Sequence, residues 1–273
     1  MIKPLLKAAK LLLPNGICEY SIRRHEYMRC GFPSGKASLL ALSPKRHRMF
    51  ADSRLNLLPK EISSSLQTCV DAGAHMGMWT EALLDLFRPK RVILVECEPR
   101  LVSQLNCKFS DRQNTVIVDA ALAEKNGTAT FYQLRHPAGS SLLPPRPEIA
   151  KEFERTTWDV IGNATVKTIS YDELVADEDQ VSLLKLDVQG AERRILANSE
   201  SGLAKTRCII LEANFTPHYS EDAIFPELHA LLAVRGFGLY RLSSIYHRGG
   251  RALFADAVYV KEDILSTLAR SES

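Results

Sequence analysis

An α/β fold, with a mostly parallel sheet covered by helices on both faces, follows from three features of this sequence. Short, continuously apolar runs such as RVILVE (91–96), VSLLKLD (181–187) and RCIILEA (207–213) have the character of strands buried on both sides. Segments with apolar residues at helical intervals, such as WTEALLDLF (79–87), alternate with them. Finally, residues 69–96 spell a complete strand, tight turn, helix, strand and terminal acid. With 273 residues, 45% hydrophobic and 25% charged, the chain has ordinary globular composition and length for one α/β domain plus an extension.

Residues 1–60 are set apart as a basic N-terminal extension and 61–273 as the main domain. The extension carries twelve Lys or Arg against three acids, whereas the whole chain has a net charge of only +3. Its first thirteen residues place Ile2, Leu5, Leu6, Ala9, Leu12 and Leu13 on one helical face, with Lys3, Lys7 and Lys10 away from it. Such a face suits either packing against the main domain or peripheral contact with an anionic membrane surface. The lysines interrupt it before it reaches spanning or secretory length, and no aromatic-interleaved basic module points to nucleic acid. Pro14-Asn15-Gly16 and Pro33-Ser34-Gly35 mark turns.

From Leu66 onward the pattern predicts strands near 67–71, 91–96, 115–119, 181–187, 207–213, 237–241 and 256–261. Helices are predicted near 79–87, 99–109, 170–176, 189–198 and 223–235, the third opened by the capping-box spacing of Ser170 and Glu173. Two places depart from regular alternation. One is an extra strand at Thr128–Leu134; the other is the Pro-rich stretch His136–Pro147, a loop of the kind that covers binding sites. The six cysteines form no CxxC pair, and Cys69, Cys97 and Cys208 lie in or beside core strands, so free buried thiols in a reducing cytoplasm are expected.

The turn Asp71-Ala72-Gly73-Ala74-His75-Met76-Gly77 is the most informative segment. Glycines there let backbone approach a ligand closely, and Glu96, nineteen positions after Gly77, suits ribose hydroxyls. The order is DxGxxxG rather than GxGxxG, with a carboxylate where a pyrophosphate would be repelled. S-Adenosylmethionine, which has no phosphate but carries an ammonium and a sulfonium, fits better than a dinucleotide. A nicotinamide-linked oxidoreductase is disfavoured on the same ground.

A second segment, LLKLDVQGAERRIL (183–196), follows, with VDAGAHMG, VECEPR, VDAALAEKNGTATFY, IILEANF and GFGLY before DAVYV. In that order, over residues 66–262, these resemble the FkbM-type family of S-adenosylmethionine-dependent methyltransferases. The resemblance implies a Rossmann-like class I methyltransferase fold, a seven-stranded sheet with one antiparallel strand near its end. It also implies that Asp71, Gly73, His75 and Gly77 surround the methionine part of the cofactor, that Glu96 takes the ribose hydroxyls, and that Asp119 and Ala120 lie beside adenine. His75 stands where the family often has Asn, and Gln189 where Glu is common. Glu98 rivals Glu96, but aligning Pro99 and Arg100 with the family pattern favours Glu96.

Methyl transfer to a hydroxyl requires alignment and a group to accept the acceptor's proton. Asp187, ending the fourth strand, is the leading candidate. Lys185 lies two residues earlier on the same strand face and is expected to pair with Asp187 and keep it ionised. Glu212 closes the next strand and completes the catalytic candidates; with Asn214 its spacing is too loose to assign a metal site. His218 reads as either an acceptor-side base or a loop histidine, and Phe215, Tyr219, Ser140 and Ser141 as shapers of the acceptor pocket. The function expected is O-methylation of a sugar, glycan or secondary metabolite in the cytoplasm, with a small-molecule or glycan acceptor. No NPPY-like tetrapeptide follows the fourth strand, which argues against nucleic acid. The alternative is a catalytically silent membrane- or glycan-binding protein.

Overall fold

A computed structural model describes residues 54–135, 137–148 and 158–271. The amphipathic stretch 1–13, the basic run and most of the extension lie outside the described residues. In chain order the elements are α1 (Lys60–Ser63), β1 (Thr68–Ala72), α2 (Met78–Phe87), β2 (Arg91–Glu96), α3 (Pro99–Lys108), β3 (Thr115–Asp119), β4 (Ala121–Ala123) and β5 (Gly127–Leu134). They continue with β6 (Val160–Ser170), α4 (Tyr171–Leu174), β7 (Val181–Leu186), α5 (Glu192–Ala197), α6 (Glu200–Lys205), β8 (Cys208–Asn214), α7 (Phe225–Val234), β9 (Phe237–Leu242), β10 (Tyr246–Arg248), β11 (Arg251–Lys261) and α8 (Glu262–Ser271).

The main sheet runs β3-β2-β1-β7-β8-β11, with β9 and β10 both on the outer side of β11. Every neighbouring pair from β3 to β8 is parallel, and β11 runs against β8, β9 and β10. This is the expected sheet with one antiparallel strand near its end, except that eight strands fill seven places. β9 pairs with the far half of β11, and β10 with the near half through Tyr246↔Phe254. The last strand therefore starts at Arg251, not near residue 256, because Gly249 and Gly250, both at positive φ, turn the chain back on itself first.

Strands β1, β7 and β8 are buried along their whole length, as continuous apolar runs between two helical layers must be. One face packs against α4 to α7 through Tyr171, Ile195, Leu203, Leu228 and Leu232; the other packs against α1, α2, α3 and α8 through Ile62, Trp79, Leu83, Leu105 and Ile264. Leu55 and Leu58 join this second cluster. Although the sequence reading sets residues 1–60 apart, the described end of that segment is part of the core.

A second sheet, β4-β6-β5, lies beside the end of β3 and was only partly legible. The extra strand expected at Thr128 appears as β5, whereas its partner β6 was not predicted, since WDVIGNATVKTI carries Gly and Asn in a half-exposed strand. Helix starts follow their chemistry. Ser170 caps α4 by accepting from Glu173 N at 3.3 Å, and Glu98 caps α3 by accepting from Leu101 N at 3.0 Å, with Pro99 as first helical residue.

Candidate active site

The C-terminal ends of β1, β2, β3 and β7 open onto one cleft, lined by Gly73, His75, Glu96, Ala120 and Asp187 among others. The turn after β1 shapes its floor. Gly73, His75 and Gly77 all take positive φ (71°, 51° and 68°), and Gly73 N and Ala74 N donate to Val95 O. A Cβ on Gly73 would sit 2.1 Å from Asp187 O, so glycine is required where this turn meets the end of β7.

Glu96, nearly buried, accepts from His75 N at 2.8 Å on one oxygen and from Cys97 N and Glu98 N, each at 2.9 Å, on the other. Three N–H groups hold the carboxylate rigidly. Of its roughly four lone-pair sites this leaves capacity for a ligand hydroxyl. Glu98 also lines the cleft, with one oxygen turned to the cap of α3. Leu101, Ala121, Leu122 and Phe131 supply apolar wall beside Ala120. Asp119, by contrast, is exposed at the end of β3 and does not line the cleft.

Asp71 lies beneath the cleft rather than in it. It is fully buried, with Oδ1 accepting from Lys185 Nζ at 2.8 Å and Oδ2 from Thr80 Oγ1 at 2.6 Å. The expected Lys185–Asp187 pair is thus corrected to Lys185–Asp71. Its cause is register: Asp71 and Lys185 are direct partners on neighbouring strands, whereas Asp187 lies past the end of β7. The ammonium also donates to Gly73 O at 3.1 Å, so the pair braces the turn from below. Gly77 likewise serves the turn, a Cβ there falling 2.6 Å from the Phe109 ring.

Asp187 is held at both oxygens. Gln189 Nε2 donates to Oδ1 at 2.5 Å and Arg54 NH1 to Oδ2 at 3.3 Å. Gln189, at φ 59°, is itself fixed: Tyr219 OH lies 3.0 Å from its side-chain oxygen, and Ser141 Oγ donates to its backbone oxygen at 2.6 Å. The Pro-rich stretch thereby docks onto the loop after β7, and Arg146 N to His218 O and Ser220 N to Pro144 O complete the seam. Ser140 and Ser141 line the cleft, whereas Tyr219 lies behind it. His218 is buried, not a surface residue, and its ring meets Trp158 and Phe254 edge-on.

Four residues of this site were missed in the sequence. Glu192 accepts from Val188 N at 3.0 Å and Gly190 N at 2.9 Å, holding the loop from inside. Burial, with Asp222 and Glu212 nearby, pushes its carboxyl up to about 8 in spite of those bonds. Trp158 packs on Tyr219 at 5.5 Å. Arg54 bridges Asp187 and Asp256, and Glu212, buried on β8, is the register partner of Asp256 outside the cleft. An acid in the first turn after a tight loop was a readable signal for Glu192; Arg54, Trp158 and Asp256 depend on long-range packing. Among the described residues no cluster of three His, Cys, Asp or Glu is arranged to hold a metal.

A parallel sheet with this strand order, a glycine cradle after its first strand and an acid closing its second define a class I S-adenosylmethionine-dependent methyltransferase. The Methyltransferase FkbM domain family matches residues 71–239. The chain belongs to that family, and S-adenosylmethionine is its cofactor. It is 24% identical over 166 residues to 2-O-methyltransferase NoeI of Sinorhizobium fredii, covering 57% of this chain and 64% of the relative, so it spans less than two thirds of that protein. Among solved structures, methyltransferase FkbM of Methylobacillus flagellatus shares 15% identity at a TM-score of 0.44, over 71% of this chain and 44% of that one. Magnesium protoporphyrin IX methyltransferase of Synechocystis, solved with the cofactor bound, shares 12% at 0.47, over 94% and 96%.

The cleft fits this cofactor by its own geometry. Gly73 leaves room for close approach, Glu96 would take ribose hydroxyls, and Ala120 with the apolar wall would bound the adenine.

Proposed function

We propose that this protein transfers the methyl group of S-adenosylmethionine to a hydroxyl of a sugar or glycan. The carrying observation is Asp187: a carboxylate at the cleft edge, fixed at both oxygens, on a residue whose backbone carbonyl abuts Gly73. When bound, the cofactor supplies a methyl activated by its sulfonium. Transfer of that methyl to an acceptor hydroxyl would leave the carbon–sulfur electron pair on sulfur and release the hydroxyl proton, which Asp187 would take up at the cleft edge.

The printed activity of the Sinorhizobium relative, 2-O-methylation, is in line with this reading.

The test is incubation with isotope-labelled cofactor and a panel of mono- and oligosaccharides that differ in one free hydroxyl. Label is expected in an ether at a single position, and Asp187→Asn is expected to lose most of it while still binding cofactor. Label at nitrogen, or in no sugar while the cofactor binds, would overturn the sugar reading. Undiminished turnover by Asp187→Asn would remove the aspartate from the chemistry.

A further inference from the structure

Three carboxylates stand in a row across neighbouring strands, just past the end of β7, near the end of β8 and midway along β11. Leu186 of β7 is in register with Leu211 of β8, which sets Glu212 beside Asp187, and Glu212 is the direct partner of Asp256 on β11. Like charges opposed across strands repel, more so at the low exposure found here. Arg54 lies across the row: Nε donates to Asp256 Oδ2 at 3.0 Å and NH1 to Asp187 Oδ2 at 3.3 Å. A planar guanidinium suits this bridging task, since its donors form a rigid fork.

The guanidinium is not carried on a loose segment. Leu55 is 1% exposed and Leu58 8%, both in the core cluster beneath the sheet, so the backbone next to Arg54 is anchored. Asp187 is then caught between two donors with separate supports: Gln189, braced by Tyr219 and Ser141, and Arg54, braced by the core. Arg54 also lies outside residues 71–239, the part that matches the family.

We propose that Arg54 is a positioning residue for Asp187, supplied to the active site by the segment that precedes the family domain. It fixes one carboxylate oxygen, leaves the aspartate ionised, and offsets the neighbouring acids. This rests on the reading of Asp187 as the proton acceptor. Among the described residues, the other titratable groups around Asp187 include His75, Glu96, Cys97 and Glu98 of the cleft, Lys185 held by Asp71, Glu192 of α5, and Glu212 and Asp256 of the row. All but Asp256 are kept in each variant tested.

The decisive measurement is the pH titration of the Asp187 side-chain carboxyl by carbon NMR on the full chain, its resonance assigned by its loss in Asp187→Asn. Removing a cation at this range is expected to raise the midpoint by about one pH unit in Arg54→Ala, and Arg54→Lys to recover part of that change. Asp256→Asn is expected to move it the opposite way, because a competing acid is gone and the guanidinium is left to Asp187. Opposed shifts from two contacts of one clamp are not produced by general loosening. Calorimetry with S-adenosylmethionine checks that each variant is folded. An unmoved midpoint in a cofactor-binding Arg54→Ala overturns the proposal. Should that variant not fold, an unmoved or raised midpoint in Asp256→Asn does so instead. Full turnover by Asp187→Asn would sink the proton-acceptor reading without touching these shifts, so the two fail separately.

Discussion

Two carboxylates illustrate how burial divides roles that the sequence shows as alike. Glu96 keeps a lone pair for ligand while three N–H groups hold it, so Glu96→Ala should lower S-adenosylmethionine affinity about tenfold or more, the worth of a charge-assisted hydrogen bond. Calorimetric titration checks this, and unchanged affinity would place the ribose elsewhere. Asp71 and Lys185, 0% and 5% exposed, form a closed pair under the turn. Removing one partner leaves a buried charge alone, at a cost of about 3–5 kcal/mol. Lys185→Met should therefore lose about that much stability in urea, and Asp71→Asn with Lys185→Met should regain part of it. A double variant no better than Lys185→Met would show that the loss is packing rather than stranded charge.

Between elements, the loop joining β7 to α5 is held from three sides: by Glu192 within, by Ser141 from the Pro-rich stretch, and by Tyr219 behind it. Glu192 carries a consequence in pH. Its carboxyl rises from an ordinary value of 4.5 to about 8 in the folded chain, first through burial, then through Asp222 and Glu212. Asp222 is raised in the same direction, to about 6, mainly by burial. A raised acid binds its proton more tightly folded than unfolded, so the fold gains from protonation and loses that gain as pH climbs from about 4.5 to about 8. Stability should fall across this window in the wild type and fall less in Glu192→Gln, as urea midpoints at several pH values would show. Parallel profiles would mean that Glu192 stays ionised, sustained by Val188 N and Gly190 N.

On the scale of the whole molecule, the main sheet was legible because its strands are buried on both faces and so are apolar without interruption. The cradle was legible too, since Gly73 and Glu96 are demanded by local backbone geometry. Which strand-end acid reaches the cleft and which lies beneath it was not, because that depends on register: Asp71 meets Lys185 across two strands separated by 114 positions. The partners of Arg54 escaped for the same reason, whereas β6 escaped because its half-exposed run carries Gly162 and Asn163. The core extends upstream of the matched domain as well, through Leu55 and Leu58 against the layer that holds α2 and α3. Residues 54–63 should then be inseparable from the fold. Leu55→Ala, at 1% exposure, is expected to cost about 2–5 kcal/mol, the range for opening a cavity at a closed leucine site. Because Arg54 is the next residue, the same change should loosen the grip on Asp187 and lower methyl transfer more than cofactor affinity. Urea unfolding at the wild-type midpoint would instead show residues 54–63 to be an appendage.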